Sequence, residues 1–510
     1  MPEADDERTV PRAEGERLSR RRLLQRGALA GGSVVLLGPL GAFRGGTSTA
    51  ATAARPVVVV GAGLAGLTCA HRLAQRGVPV HVYEASAERV GGRCWTAREF
   101  AGGQVGEHGG ELIDTDHMRI RRLARELGLH LEDLFRWGNR RDGERSAIYL
   151  DGEPRRLRRV VHGFPAVRRK LRAQARRTGY FGAYSGPAAR RFDRISVAGW
   201  IDANLRGGRD SLLGRTMSLY FSQEFGLDPA RLSATNLFYL LEGGGPDPSS
   251  ADGSDERFHV RGGNDQIPRR LARRLPGGAL RMDAPLHALW RRADGAYGMR
   301  FGGVPKPVIA DRIVLAIPFT ALRRVDLGRS GLSPRKRQAI AELGMGTNSK
   351  LLMQFRQRPS HYRLWDGDLT TDRPPLTTWD STVAQPGRTS LITVYTGGAA
   401  GSAYPVRRAH GPAPNGVVRS TLAVLERAAP GIGRDFTGRA WLDDWSRDPW
   451  AHGSYAAFLP GQVTEFGAVI ARREGGLHFA GEHTSIAYQG FLEGAVESGE
   501  RCAREVAARV

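Results

Sequence analysis

Three glycines and one glutamate near the start of the chain have the spacing of a dinucleotide-binding site. Gly61, Gly63 and Gly66 form a GxGxxG pattern. The apolar run Val57–Val60 comes directly before them, and Glu84 follows 23 positions after Gly61. In this pattern the first glycine permits a tight turn, the second lets the backbone approach a pyrophosphate, and the third allows close packing of a helix on a strand. The glutamate carboxylate suits hydrogen bonds from the two hydroxyls of a ribose.

The elements that must position these residues are a strand, a helix and a second strand. The run Val57–Val60 predicts the first strand because it is apolar and β-branched, and the pattern from Leu67 to Gln75 predicts the helix. The run Val80–Tyr83 predicts a second strand that ends at Glu84. The helix then directs the positive end of its dipole at the phosphates. A GxGxxG pattern alone is weak, but this order of elements predicts a dinucleotide-binding unit.

A second glycine pair indicates which dinucleotide is bound. Gly91, Gly92 and Arg93 lie so close to the first motif that they would serve an extended ligand such as FAD. The run up to Arg93 resembles the FAD-binding start of the flavin-dependent amine oxidases, which include monoamine oxidases and L-amino-acid oxidases. Residues 479–499 resemble that family's closing motif, about 400 residues later and in the correct order. The resemblance extends over residues 56–510, although the middle of the chain matches only in patches.

The resemblance implies an α/β fold in which a Rossmann-like FAD-binding domain is interrupted by an α+β substrate-binding domain of mixed helix and sheet. The FAD-binding domain is predicted to comprise residues 54–115, 255–335 and 445–510, and the substrate-binding domain residues 116–254 and 336–444. Hydrophobic periodicity supports this order of elements. It predicts helices over 120–129, 197–205 and 268–275 and strands over 285–290, 312–317, 351–355 and 391–395.

The resemblance also implies which residues hold FAD. It places the glycine pair that ends at Gly110 beside the flavin ring, Trp445 near the same ring, and the backbone of Leu286 at the adenine end. Glu482 is expected to hydrogen-bond the ribityl–phosphate region from a helix N-terminus. The predicted cofactor-binding residues are Gly61, Gly63, Gly66, Glu84, Gly92, Arg93, Gly110, Glu111, Leu286, Trp445, Glu482 and Leu492.

Three further residues are implied to carry the chemistry. Oxidation of an amine to an imine removes a hydride equivalent from the α-carbon and requires a neutral amine. Aromatic walls suit this reaction because they flank the nitrogen without a carboxylate that would hold it protonated. The resemblance assigns these walls to Tyr455 and Phe491, although many amine oxidases have tyrosine at both places. It assigns Lys350, one of four lysines in the chain, to a water bridge to flavin N5 that assists reoxidation by oxygen. Core packing of the two rings and a solvated lysine are the alternatives.

The mode of flavin attachment and the electron acceptor follow from the residue before Tyr455 and from the motifs that the sequence lacks. In monoamine oxidases a cysteine immediately before this tyrosine bonds to the flavin, whereas this chain has Ser454. FAD is therefore expected to be held noncovalently. The sequence has no second strand–GxGxxG–helix unit for NAD(P)H and no CxxC for a disulfide reductase. O2 is the expected acceptor and gives H2O2, while the imine hydrolyses to an aldehyde or ketone.

The expected substrate is a small amine, with an L-amino acid as the alternative. An α-amino acid calls for a buried arginine that binds its carboxylate. The amino-acid-oxidase branch often carries an arginine just after the glycine pair, where this chain has Glu111. Two other hypotheses keep the same FAD cradle. One is an FAD-dependent desaturase or dehydrogenase acting on carbon–carbon bonds, and the other is a non-catalytic, FAD-stabilised protein that docks anionic polymers.

The chain carries a formal net charge of +23, and one segment is especially basic. Residues 155–191 contain eleven arginines and Lys170, interleaved with apolar residues at helical spacing. A solvated helix face against a background of arginine bias is the favoured interpretation, and an anion-docking surface is the alternative. No sequence-specific nucleic-acid partner is expected. The three cysteines, Cys69, Cys94 and Cys502, have neither zinc-ligand nor disulfide-framework spacing, so no metal site is predicted.

Residues 1–53 have the layout of a bacterial export signal. Paired arginines at Arg20 and Arg21 precede an apolar stretch from Gly27 to Phe43, and small residues follow at 51–53. The pattern resembles a twin-arginine signal, which carries folded, cofactor-loaded proteins, and predicts a secreted or cell-envelope location. No stable membrane insertion is expected after cleavage, because the apolar stretch is short and rich in glycine. The oligomeric state stays open, with a homodimer among the options.

Overall fold

The computed structural model describes residues 55–137, 146–179, 184–241, 254–362, 365–485 and 487–509. The predicted export signal, residues 1–53, lies outside these ranges. No helix within them is long and apolar enough to cross a membrane.

A five-stranded parallel sheet forms the first layer of the fold. In spatial order its strands are Leu477–Phe479, Ile313–Leu315, Val57–Val60, Val80–Tyr83 and Leu280–Arg281. The strand Val57–Val60 lies in the middle, parallel to a neighbour on each side, and all four of its valines are buried. A continuous β-branched run is typical of a strand that is covered on both faces. Because all five strands are parallel, their carboxyl ends meet at one edge of the sheet.

Helices and a second sheet cover the two faces of the parallel sheet. Side chains of the central strand alternate between the faces. One face packs against the helices Leu64–Ala74, Met118–Glu126, Gln266–Arg273 and Leu492–Ala507. The other face packs against a three-stranded antiparallel sheet and three helices. These elements are Leu286–Arg291, Tyr297–Phe301, Val308–Ala310, Phe319–Leu322, Pro334–Glu342 and Gln462–Phe466.

An eight-stranded mixed sheet forms the second large layer. In spatial order its strands are His410–Pro412, Phe436–Asp444, Ser349–Phe355, Ser390–Thr396, Pro375–Asp380, Leu369–Asp372, Ala147–Leu150 and Glu153–Pro154. Every residue of Ser349–Phe355 is buried, which places Lys350 in the interior. The helices Asn415–Ala428 and Ile432–Asp435 cover one face of this sheet.

A helical layer with its own apolar core lies beside the sheets. Its core contains Phe164, Leu171, Trp200 and Phe221. Its helices are Leu157–Val160, Phe164–Thr178, Gly186–Asp193, Val197–Asn204, Leu212–Phe225 and the 3₁₀ helix Ala234–Leu241. The remaining short elements are the strand pairs Thr96–Ala97 with Gly106–Glu107 and Leu131–Asp133 with Phe258–Val260, the helix Gly398–Gly401, and 3₁₀ turns at 101–103, 134–137, 208–210, 359–361 and 482–484.

The predicted α/β class is confirmed, and the predicted helices and strands are present with ends shifted by at most three residues. The first helix begins at Leu64 rather than Leu67, because the last glycine of the motif already lies in its first turn. Many other elements were not predicted. Among them, Ala147–Leu150 lies in the segment 116–254 predicted for the substrate-binding domain and is a strand that pairs in parallel with Leu369–Asp372. The predicted domain limits stay a prediction.

Candidate active site

A continuous cavity of about 480 Å³ lies between the parallel sheet and the eight-stranded sheet. Gly61, Glu84, Ala316 and Gly481 follow the carboxyl ends of four parallel strands and line one side of it, and Lys350 of the eight-stranded sheet also lines it. Ligands of parallel α/β sheets bind outside the carboxyl ends of the strands, so the cavity has the position of a cofactor site.

Fourteen of the fifteen predicted site residues line this cavity, and Gly66 is the exception. The fourteen are Gly61, Gly63, Glu84, Gly92, Arg93, Gly110, Glu111, Leu286, Lys350, Trp445, Tyr455, Glu482, Phe491 and Leu492. The fold thus brings together residues that are up to 431 positions apart in the chain. Their roles toward cofactor and substrate stay predictions.

Each glycine of the first motif meets a different steric requirement. Gly61 has φ +99°, and a Cβ there would lie 2.8 Å from a methyl of Ile317. A Cβ on Gly66 would lie 2.0 Å from the carbonyl oxygen of Gly61. The helix can therefore pack this closely against the turn only because the residue is glycine. Gly63 has no atom within 4 Å of the place where its Cβ would stand. The cavity is therefore open beside the Gly63 backbone, where a pyrophosphate has to approach.

The backbone around the first motif presents further hydrogen-bonding groups to the cavity. The helix that starts after Gly63 has no side-chain cap at its N-terminus, so its first N–H groups can bind an anion. Glu84 accepts hydrogen bonds from the N–H of Ala62 at 2.6 Å and of Ser86 at 2.9 Å. Burial raises the pKa of Glu84. Each carboxylate oxygen retains a second lone pair, which suits a ribose hydroxyl.

Arg93 and Glu482 connect the start of the chain to its end. Arg93 Nη1 donates to Glu482 Oε1 at 2.9 Å and to the carbonyl oxygen of Ser454 at 2.6 Å. The same carboxylate accepts from the N–H of Ala456 at 3.2 Å and of Gly490 at 2.8 Å. This ion pair fixes the two segments that carry the predicted aromatic walls. Glu482 therefore has a structural role in addition to its predicted contact with the cofactor.

Lys350 forms a buried ion pair with Glu111. Its Nζ lies 2.6 Å from Glu111 Oε2 and 3.0 Å from each of the carbonyl oxygens of Glu107 and Gly109. Three acceptors match the three protons of an ammonium. Trp379 Nε1 donates to the other oxygen of Glu111 at 3.0 Å. Although burial opposes ionisation, the Lys350 ammonium holds the pKa of Glu111 below its usual value. The solvated-lysine alternative is wrong, because the residue is 4% exposed.

The two predicted aromatic walls both face the cavity, and each has a partner in the protein. The Tyr455 hydroxyl lies 2.9 Å from that of Tyr395 and donates to the carbonyl oxygen of Glu224 at 2.7 Å. Burial raises the pKa of Tyr455, so its phenol stays neutral. Phe491 packs against the ring of His117 with 5.0 Å between centroids. The walls are therefore a neutral hydroxyl-bearing ring and an apolar ring.

Comparison with known proteins shows the family to which this chain belongs. The family model described as flavin-containing amine oxidoreductase matches residues 64–507. The chain belongs to this family. It is 26% identical to the flavin-containing amine oxidase A of Canis lupus familiaris over 470 residues, which are 88% of this chain and 84% of the relative. It is 27% identical to an L-amino-acid oxidase of Mus musculus, covering 88% of this chain and 70% of the relative.

Solved structures show the same fold. The cyclohexylamine oxidase of Brevibacterium oxydans superposes with a TM-score of 0.76 at 23% identity, over 89% of this chain and 99% of the other. A putrescine oxidase bound to putrescine superposes with a TM-score of 0.75 at 22% identity and the same coverage. Membership of this flavin-containing family supports a flavin cofactor, and the open backbone at Gly63 and the uncapped helix fit the phosphates of such a group.

Several cavity residues were not predicted from the sequence. Trp379 and Tyr395 line the cavity beside Lys350, and Tyr395 stands directly opposite Lys350 in the neighbouring antiparallel strand. Glu224 and Glu256 line the cavity as well. Strand periodicity marks 391–395 as a strand, but the register that places Tyr395 next to Lys350 has no signal in a single sequence. The two glutamates lie on segments for which the sequence offered no motif.

An imidazole joins two buried carboxylates behind Trp445. His410 Nδ1 lies 2.7 Å from Asp443 Oδ1, and its Nε2 lies 3.0 Å from Asp448 Oδ2. His108 Nδ1 lies 2.9 Å from the second oxygen of Asp443. Burial disfavours the charged imidazole, but the hydrogen bonds to the two carboxylates raise the pKa of His410 to about 9. These hydrogen bonds of His410, named here the His410 clip, join the two ends of the segment 443–448, which contains Trp445.

The His410 clip predicts a loss of stability at alkaline pH. The pKa of His410 is about 9 in the folded protein against 6.5 for an unperturbed histidine. Its contribution is therefore complete below pH 6.5 and is lost as the pH rises through 9, by about 3 kcal/mol in total. We expect the thermal unfolding midpoint of the wild type to fall over this range more steeply than that of H410Q. The control H162Q, at an exposed histidine, should follow the wild type. Parallel wild-type and H410Q profiles would contradict the assignment.

Proposed function

We propose that this protein is an FAD-dependent amine oxidase that converts an amine to an imine, with O2 reduced to H2O2 and the imine hydrolysing to an aldehyde or ketone. The observation that carries the proposal is the position of Tyr455, Phe491 and the buried Lys350–Glu111 pair. All four residues line one cavity at the carboxyl ends of the parallel sheet. Membership of the flavin-containing amine oxidoreductase family supports the reaction class.

The residues present fit FAD at one end of the cavity. The glycine turn, the uncapped helix and Glu84 offer room for a pyrophosphate, donors for its oxygens and a carboxylate for a ribose. Gly91 extends this cradle, because its N–H donates to the carbonyl oxygen of Ala62 at 2.9 Å. When bound, FAD would supply the acceptor for the hydride equivalent and its two electrons.

The chain's own residues would orient a neutral amine in the remaining space. Tyr455 and Phe491 present a neutral phenol and an apolar ring, so neither wall stabilises the protonated form of the amine. The Lys350 ammonium compensates the charge of Glu111, which would otherwise favour an ammonium substrate. Lys350 and Glu111 are buried and Tyr455 and Phe491 are half-buried, so this end of the cavity limits the access of water to the carbon to be oxidised.

The charges of the cavity favour an amine without a carboxylate over an L-amino acid. Four cations line the cavity. Arg93 and Lys350 are each paired with a glutamate, Arg89 donates to the carbonyl oxygen of Gly92 in the proposed FAD cradle, and Arg324 follows the helix Phe319–Leu322. Glu224 and Glu256 line the cavity together with Tyr395, and burial, together with the charges of these glutamates, raises the pKa of the Tyr395 phenol. Two carboxylates therefore lie near Tyr395, whereas an α-amino acid would need a cation there for its own carboxylate. An L-amino-acid oxidase is the second candidate, because the mouse L-amino-acid oxidase matches this chain as well as the amine oxidases do.

The flavin is proposed to be held without a covalent bond. Ser454 Oγ donates to Asn348 Oδ1 at 2.7 Å, so the position before Tyr455 carries a hydroxyl with a partner. Cys94 also lines the cavity, but its thiol donates to the carbonyl oxygen of Asn264 and burial raises its pKa, which suppresses the reactive thiolate. Acid precipitation is expected to release all the flavin into the supernatant. Yellow colour left in the washed pellet would contradict this.

A peroxide assay tests the proposed reaction. Purified, flavin-loaded protein is mixed in air with primary amines, secondary amines, diamines and L-amino acids, and H2O2 is measured with a coupled peroxidase. We expect peroxide with amines and little with amino acids. Peroxide with amino acids alone would support the second candidate. Flavin that amines reduce without peroxide would indicate a dehydrogenase, and no reaction with any compound would overturn the proposal. Export of the mature protein by a twin-arginine route remains a separate proposal that rests on residues 1–53.

A further inference from the structure

The positive charge of the chain is concentrated in one short segment. Residues 155–194 contain twelve arginines, Lys170 and a single acidic residue, Asp193. These 40 residues carry a net charge of +12, and the other 470 residues together carry +11. A uniform preference for arginine would spread the excess along the chain. The concentration therefore calls for a local explanation.

The fold exposes eleven of these thirteen cations and buries the segment's only acid. The helix Phe164–Thr178 turns Val167, Leu171 and Ala175 into the core of the helical layer. Asp193 also points inward, where its carboxylate accepts from the Ser233 hydroxyl at 2.6 Å. Eleven cations of this segment are exposed. Ten of them, all except Arg194 beyond the last helix, are named here the basic face: Arg156, Arg158, Arg159, Arg169, Lys170, Arg172, Arg176, Arg177, Arg190 and Arg191.

No residue of the basic face forms an ion pair with another described residue of the chain. Other arginines behave differently, since Arg72, Arg98 and Arg257 each pair with a carboxylate. Ten unpaired like charges repel one another and disfavour the compact state, and a bound polyanion would remove that repulsion. None of the ten lines the cavity, so the basic face is separate from the proposed active site.

We propose that the basic face binds a phosphodiester polymer without regard to its sequence. Guanidinium groups match phosphate oxygens in a bidentate geometry. A helix of 15 residues is about 22 Å long, which is enough to follow several phosphates of an extended chain. The helix Gly186–Asp193 packs beside it and widens this strip with Arg190 and Arg191.

The composition of the face favours a polymer over a membrane. The large apolar side chains of Phe164–Thr178 pack in the core. The exposed described positions of the helices Leu157–Val160, Phe164–Thr178 and Gly186–Asp193 hold no large apolar side chain that would enter a bilayer. The same positions hold no aromatic ring on which a base would stack. The basic face can therefore contact only the charged phosphates of a polymer, so its binding should not depend on the base sequence.

Salt-dependent binding tests the proposal with a matched control. The whole protein is titrated into a fluorescein-labelled oligothymidylate at increasing salt, and anisotropy gives the affinity. We expect R169Q/K170Q/R172Q/R176Q/R177Q to bind at least about tenfold more weakly at low salt. Its slope of log affinity against log salt should fall by up to about 3.5, at 0.7 for each lost phosphate contact. The control R273Q/R300Q/R337Q/R408Q/R419Q removes five exposed arginines elsewhere and should keep the wild-type slope.

Three results would overturn the proposal. The first is equal loss in both variants, which would assign binding to net charge instead of this face. The second is no binding by the wild type at low salt. The third is capture of the wild type by phosphatidylglycerol vesicles but not by the oligomer, which would make the face a membrane site. If the variant with five substitutions in the basic face no longer unfolds cooperatively, R190Q/R191Q replaces it. Its slope of log affinity against log salt should fall by about 1.4.

Discussion

Replacing Lys350 with methionine is expected to slow flavin reoxidation by oxygen at least about tenfold, equal to about 1.4 kcal/mol in the barrier. The same change should destabilise the fold by about 3–5 kcal/mol, because it leaves the buried Glu111 carboxylate without its cation. The Nζ group is surrounded by Glu111 and two carbonyl oxygens beside the glycine pair, next to the predicted place of the flavin ring. Stopped-flow mixing of the reduced protein with oxygen measures the rate, and urea unfolding measures the stability.

The double variant separates the two effects of Lys350. In K350M/E111Q no uncompensated charge remains, so we expect part of the lost stability to return. The oxygen reaction should stay slow, because the ammonium is still missing. Reduction of the flavin by substrate should be affected less than its reoxidation in both variants. Oxygen kinetics equal to those of the wild type in K350M would refute the role assigned to the lysine.

Replacing Gly66 with alanine is expected to cost about 3 kcal/mol or more of stability and to abolish flavin binding. The new methyl would stand 2.0 Å from the carbonyl oxygen of Gly61, a contact with backbone that no side-chain rotation relieves. The helix Leu64–Ala74 would have to move away from the turn that precedes it. Thermal unfolding and the flavin content of the purified protein measure the two effects.

Gly63 and Gly416 provide the controls for Gly66. Gly63 has a φ of −68° and open space beside it, so G63A should fold normally. Its methyl would project toward the cavity and should weaken FAD binding about tenfold. Gly416 lies in the helix Asn415–Ala428 with nothing near its Cβ position, and G416A should leave the flavin content unchanged and raise the stability by at most about 1 kcal/mol. A G66A protein that retains flavin and its melting temperature would contradict the steric argument.

Local features of the fold could be predicted because their causes lie within a few tens of residues. The strand Val57–Val60, the glycine turn and the strand that ends at Glu84 follow from side-chain type and spacing alone. Their predicted positions hold in the structure to within three residues. The steric reason given for Gly66 also holds, because it concerns contact with a turn only five residues earlier.

Long-range partners could not be predicted from one sequence. Lys350 and Glu111 are 239 residues apart, and both were predicted as site residues without being paired. The pairing depends on the register of the eight-stranded sheet, which also places Tyr395 opposite Lys350. The basic segment was interpreted as a solvated helix face. The exposure of its cations agrees with that interpretation. That the cations of the basic face form no ion pair with a described residue depends on contacts distant in the chain, and could not be predicted from the sequence.

Anaerobic mixing of the flavin-loaded protein with an amine tests the central claim most directly. The absorbance of the oxidised flavin reports whether the amine itself reduces the cofactor in this cavity. We predict that a simple primary or secondary amine bleaches the flavin, that an L-amino acid does so more slowly, and that admission of oxygen restores the colour. A flavin that dithionite bleaches but that no amine or amino acid bleaches would contradict the assignment of this cavity to amine oxidation.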